Sequence, residues 1–226
     1  MDNMDLICLW IAELVPLTAT LYSFIYGLNK FFKKGKPLFL QSITMAMGCH
    51  ALGSIYHLCQ TLTTETVLEG FTPAYLGRIG FFLFLIKASY GQMDRIVDDG
   101  SAKIRSSRYL ALIAPVLAVL LYIPNGMMED LPTVTKIAVL LVWLPAVVAL
   151  YYNLKHFMIP NNDFGFIKAI KPYNILATCL GFAELLCLTA WDYFYGTQLV
   201  IFSFVFAILC VGMMLAAKKG AEQWTI

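Results

Sequence analysis

The sequence predicts an all-α integral membrane protein: one bundle of seven transmembrane helices, with the N-terminus outside and the C-terminus inside. Three observations predict it. First, 60% of the 226 residues are hydrophobic and only 13% are charged, with mean hydropathy +0.73. A soluble domain carries about 25% charged residues and less than half apolar ones. Second, the apolar residues gather into seven stretches close to the roughly 20 residues a helix needs to cross the hydrocarbon core. Third, lysine and arginine sort almost completely to alternate loops. The composition excludes a disordered chain, a nucleic-acid-binding domain and an ordinary soluble enzyme, because no single globular core could hide so much apolar surface.

The first stretch, 5–29, follows the acidic start Met1-Asp2-Asn3-Met4-Asp5. A cleavable signal needs a basic start and a shorter apolar run, so this stretch is expected to stay as a helix. Lys33-Lys34-Gly35-Lys36-Pro37 separates it from the second, 37–62, and Glu69-Gly70-Phe71-Thr72-Pro73 separates that from the third, 74–93. Asp98-Asp99-Gly100-Ser101 precedes the fourth, 108–124, which ends at Pro124-Asn125-Gly126. The fifth, 133–154, ends before Pro160-Asn161-Asn162; the sixth, 173–191, ends before Tyr195-Gly196; the seventh is 198–217. Glycine, proline and asparagine in these combinations mark turns. The loops are short, leaving residues 1–226 as one polytopic domain.

Lys30, Lys33, Lys34 and Lys36 follow the first stretch, and Arg95, Lys103, Arg105 and Arg108 follow the third. Lys155, Lys168 and Lys171 follow the fifth, and Lys218 and Lys219 follow the last. That is 13 of the 16 basic residues on one side, which identifies it as cytoplasmic and the host as the cell (cytoplasmic) membrane. The other loops carry Glu65, Glu69, Glu129, Asp130 and Asp192. The net charge of +2 reflects basic loops suited to anionic lipid rather than to nucleic acid. The six cysteines fall within the spans without CxxC spacing and behave as small apolar side chains.

A pattern, Tyr-x-x-x-Lys-x-Phe, ends both the first and fifth spans, as Tyr26, Lys30, Phe32 and as Tyr151, Lys155, Phe157. Each is followed by Lys-Pro, Lys36-Pro37 and Lys171-Pro172, the proline suiting the first turn of the next helix. Spans 1–3 and 5–7 share an orientation, which fits a parallel 3+1+3 duplication. Aromatic-then-lysine is also what any cytoplasmic helix end looks like.

Ionisable groups at membrane depth are costly and mark function. Here they are Glu13, His50, His57, Arg78, Lys87 and Glu184. Counting 1.5 Å per residue from the loops puts Glu13, His57, Arg78 and Glu184 at one depth near the outer face. Arg78 is expected to pair with Glu13 or Glu184. His50 and His57, seven apart, share a helix face with Ser54. Gly53, Gly77, Gly80 and Gly181 would let these helices approach closely. The expectation is an outward-facing ligand-binding pocket of Glu13, His50, His57, Arg78 and Glu184. A zinc site is disfavoured because the two histidines lie roughly 10 Å apart along the axis. Asp94, Asp98 and Asp99 are expected to solvate a helix end, and His156 to lie in a loop. The last span has no central lysine, which excludes a retinal protein.

The topology is similar to the seven-helix sensor regions that precede some bacterial histidine kinases. Lys36-Pro37, and the run Gly80 to Phe84 ahead of Ala88-Ser89-Tyr90, resemble the lysoplasmalogenase-like membrane family over about a quarter of the chain. That family's pattern has a Gly-Asp pair late in helix 2 and a histidine in helix 3. Here helix 2 has no aspartate and Ser89 takes the histidine's place, so no catalytic residues carry over. The expected function is a small-ligand sensor or transporter-like protein rather than an enzyme. Its expected partners are the bilayer, a small-molecule or anionic ligand and a second membrane protein, with no cofactor, metal or nucleic acid. The alternatives are an intramembrane lipid hydrolase using His50 or His57 as base beside Ser54, and a structural subunit of a membrane complex.

Overall fold

The computed structural model describes residues 3–63, 71–94, 98, 100–127, 132–160, 165–190 and 196–224. The described residues are helical, with no strand. They form α1 (Asn3–Phe31), α2 (Leu38–Thr63) and α3 (Pro73–Ala88), which runs on into a π-helical turn, Ser89–Asp94. A 3-10 turn, Ala102–Ile104, leads into the short α4 (Arg105–Leu110) and then α5 (Ile113–Met127). The long α6 (Thr133–Met158), α7 (Gly165–Ala190) and α8 (Thr197–Trp224) complete the chain. Among the described residues, five segments are long and apolar enough to cross a membrane: Leu6–Phe31, Leu38–Thr63, Arg105–Ile123, Thr133–Met158 and Thr197–Gln223. Their outward faces are apolar, as Val116, Leu120, Ile201, Phe204 and Ile208 illustrate, each about half exposed or more. Such a surface suits lipid rather than water. The chain is a membrane protein.

Helix packing makes a ring. α1 contacts α2 and α8, α2 contacts α3, α3 contacts α6, α6 contacts α7, and α7 closes onto α8. α5 packs outside the ring against α6 and α7. α2 and α7 face each other across the middle, where His50 meets Glu184 and the rings of Phe39 and Tyr173 lie 4.9 Å apart edge-on. Ile43, Met47, Phe81, Phe82, Leu85, Leu180 and Phe206 fill the centre, each at most 2% exposed. The α2–α3 crossing is tight because glycines meet there. A Cβ on Gly77 would stand 2.6 Å from both the Cys49 carbonyl oxygen and the Gly53 Cα, so no larger residue fits without parting the helices.

Several element boundaries depart from expectation. The fourth stretch is broken at residues 111–112 into α4 and α5. α6 runs to Met158, so Lys155 and His156 lie on its last turn rather than in a loop. α7 begins at Gly165, so Pro172 sits inside it and not in its first turn. Interior prolines also occur in α1 (Pro16) and α6 (Pro145), a pattern that packed neighbours tolerate inside membranes. The acids expected in outer loops, Glu65, Glu69, Glu129, Asp130 and Asp192, lie outside the described residues, as does Asp99.

Candidate functional site: a buried polar pocket

One face of α2 carries His50, Ser54 and His57 at spacings of four and three, which stack one above the next. His50 is 6% exposed, and its Nε2 lies 3.0 Å from Oε2 of Glu184, itself 2% exposed, on α7. Ser54 Oγ lies 3.4 Å from His50 Nδ1. A proton on Nε2 makes the ring donate to Glu184 and leaves Nδ1 to accept from Ser54. The imidazole is held between Phe81 of α3 and Phe206 of α8, with ring centroids 5.5 and 5.2 Å away. The close α2–α3 crossing at Gly77 brings the next residue, Arg78, to the same carboxylate. Its Nε stands 2.8 Å from Glu184 Oε1, and its side chain remains 31% exposed. The contact is an ion pair without an aligned hydrogen bond, since Oε1 takes none among the described residues.

These groups line a cavity of about 50 Å³. Ala12, Glu13 and Pro16 of α1 form one wall, and Cys187 of α7 and Leu199, Phe202, Ser203 and Phe206 of α8 form another. A buried site needs about 10–15 Å³ per water on this measure, so it holds three to five water-sized groups.

Four of the five expected site residues, Glu13, His50, Arg78 and Glu184, therefore meet at one cavity. His57 does not line it. It is 46% exposed and touches Glu13 with Nδ1 3.5 Å from Oε2. The polar groups divide by partner: His50, Glu184 and Arg78 form one set around the Glu184 carboxylate, and Glu13 touches the more exposed His57. The α8 wall escaped sequence reasoning because it brings no ionisable group. Its one polar signal was Ser203, 3% exposed, whose hydroxyl donates to the Val200 carbonyl at 2.7 Å.

A second polar cluster ties together the ends of helices that carry the basic loops. Asp94, closing the π turn, meets Lys155 and lies 2.9 Å from His156 Nε2. Asp98 lies 2.8 Å from Lys155 Nζ, accepts from Arg108 Nε at 2.9 Å and from the Gly100 N–H at 3.0 Å. Hydrogen bonds from Arg108, against the opposing effect of burial, hold the Asp98 carboxyl well below the usual carboxylate range. Lys155 and His156 are 3% and 0% exposed. The expectation of aspartates merely solvating a helix end, with Lys155 and His156 in a loop, is thus overturned for the described pair: burial of a lysine and a histidine on α6 demands nearby carboxylates. Lys87 is exposed, with Nζ 6.0 Å from the Phe84 ring centroid.

All six cysteines are free, and no three His, Cys, Asp or Glu side chains among the described residues are grouped to hold a metal. No family model, curated protein or solved structure matches the chain.

Proposed function

We propose that the chain is a seven-span protein of the cell membrane whose outward-facing pocket binds a small ligand with a negatively charged group, as a sensor or transporter-like protein does. The observation that carries this reading is Arg78. A guanidinium has five N–H donors, and this one faces a cavity and meets Glu184 through Nε, which leaves the four N–H groups of its two terminal nitrogens to bind a ligand. Unused donors on a fixed cation are what a carboxylate or phosphate ligand engages. α3 with its π turn spans 22 residues (16 and 6) and α7 spans 26, long enough at 1.5 Å per residue to cross the core beside the five apolar segments.

The duplication of spans 1–3 and 5–7 belongs to this reading. A two-fold relation exchanges the contacts α1–α2 with α6–α7, α2–α3 with α7–α8, and α3–α6 with α8–α1, and the ring contains all six. The two contacts across the middle, Phe39–Tyr173 and His50–Glu184, are each separated by 134 residues (173 − 39 and 184 − 50). Duplicated halves place a site where they meet.

The test is saturable binding of radiolabelled acetate to proteoliposomes. Binding is expected to weaken clearly in Arg78→Lys, which keeps the charge but not the planar fork. Accumulation inside the vesicles identifies transport, and binding without accumulation identifies sensing. No saturable binding would overturn the pocket.

One observation favours a second reading, the lipid hydrolase: Ser54, His50 and Glu184 lie in line as nucleophile, base and orienting acid. In it His50 takes the Ser54 proton as Oγ attacks an ester carbonyl, passes it to the leaving alcohol, and water then frees the acid. Arg78 argues against it, because its charge on Glu184 weakens that carboxylate's support of an imidazolium. Covalent labelling of Ser54 by a fluorophosphonate, lost in Ser54→Ala, would establish the hydrolase instead.

A further inference from the structure

Resting on the reading of this cavity as a ligand site, we propose that its ligand is a small zwitterion of amino-acid size, with its carboxylate on Arg78 and its ammonium group on Glu13. Besides the Glu184 carboxylate, the cavity is faced by two charges of opposite sign, Arg78 from α3 and Glu13 from α1. Arg78 offers its guanidinium donors as described above. Glu13, 19% exposed, makes only the 3.5 Å contact with His57, and neither of its oxygens takes a hydrogen bond from a described residue. A carboxylate left this way in a partly dehydrated site is costly unless a donor arrives.

The two ends of the cavity narrow the class. Glu184 is already held by Arg78 and His50. A simple anion leaves Glu13 bare. A simple amine leaves the Arg78 fork empty. A zwitterion adds no net charge and satisfies both ends. Size agrees: about 50 Å³ takes about three to five water-sized groups, and glycine has five non-hydrogen atoms. Ser203 supports the ammonium end, since its hydroxyl spends its proton on the Val200 carbonyl and keeps its lone pairs. Phe202 and Phe206 give a small apolar side chain a surface to lie against.

The experiment uses the full chain in lipid nanodiscs, with thermal unfolding titrated by glycine, acetate and methylamine. Glycine is expected to bind about tenfold more tightly than either half-molecule, as one extra charge-assisted hydrogen bond implies. Glu13→Gln is expected to remove that advantage, weakening glycine while acetate binds at least as tightly as before, because a like charge has gone from the cavity. Acetate binding as tightly as glycine overturns the zwitterion yet leaves the anion pocket standing. Methylamine binding as tightly as glycine overturns the zwitterion and removes Arg78 from recognition. If none of the three raises the unfolding temperature at saturating millimolar concentration, the pocket reading itself falls. The comparison on the unmutated chain decides the assignment even where Glu13→Gln does not fold.

Discussion

Arg78 is the residue on which the pocket depends. It cannot shed its proton at accessible pH, and at membrane depth it is tolerable only beside an acid, an anionic ligand or water. Glu184 meets it, and His50 holds that carboxylate's other oxygen. Removing one partner of such a buried set strands the others and costs about 3–5 kcal/mol. Arg78→Met is therefore expected to lower the unfolding temperature in detergent sharply, and adding Glu184→Gln is expected to recover part of the loss. A single substitution costing under about 0.5 kcal/mol, typical of surface sites, would place Arg78 in water or among headgroups. At this scale the sequence was informative about membership and about the Arg78–Glu184 pair, but not about His50 as that acid's second partner. Rarity of charge in apolar stretches singled out Glu13, His50, Arg78 and Glu184, because polar groups there need a reason. Counting depth from loop edges paired Glu184's level with His57. It missed His50, since helices tilt and extend past their apolar runs, and a turn of error moves a side chain by about 5 Å.

Elements act through their ends and crossings. The Gly53–Gly77 contact lets α2 and α3 touch at backbone distance, and small residues at matching positions made that approach readable from sequence. The π turn at the end of α3 was not readable, nor was its bond to α6. Apolar periodicity stops where a helix leaves lipid, so Lys155 and His156 looked like loop residues although α6 continues beneath them. What the π turn, α4 and α6 share is the cluster of Asp94, Asp98, Arg108, Lys155 and His156. Asp98 titrates lower in the folded chain than an ordinary aspartate, so it stabilises the fold only while ionised. That contribution is complete above about pH 4, near the unfolded value, and drains as pH falls below it. The unfolding temperature is accordingly expected to hold between neutral pH and about pH 5 and to drop below about pH 4. Asp98→Asn should start lower at pH 7 and lose less on acidification. An acid-induced drop as large in Asp98→Asn as in the parent chain would show that other carboxyls carry the response.

For the whole molecule, orientation decides what the pocket can meet. The ring places the His50–Glu184–Arg78 set toward one end and the Asp94–Lys155 cluster toward the other, with Ile43, Met47, Phe82 and Leu85 buried in the ring's core. Lys33, Lys34 and Lys36 follow α1, while Lys168 stands exposed at the start of α7. Translocating such residues is costly, so under the proposed orientation the basic loops stay cytoplasmic and the polar pocket faces outward. The proposed duplication makes the same demand, because in two halves of one orientation the loops after α1 and α6 share a side. A membrane-impermeant thiol reagent applied to intact cells, on a background without native cysteines, is therefore expected to modify Glu129→Cys and to spare Lys168→Cys until the membrane is opened. Modification of Lys168→Cys alone would invert the molecule and turn the pocket toward the cytoplasm. A ligand reaching it would then come from metabolism rather than from the surroundings, and sensing of external solutes would be excluded.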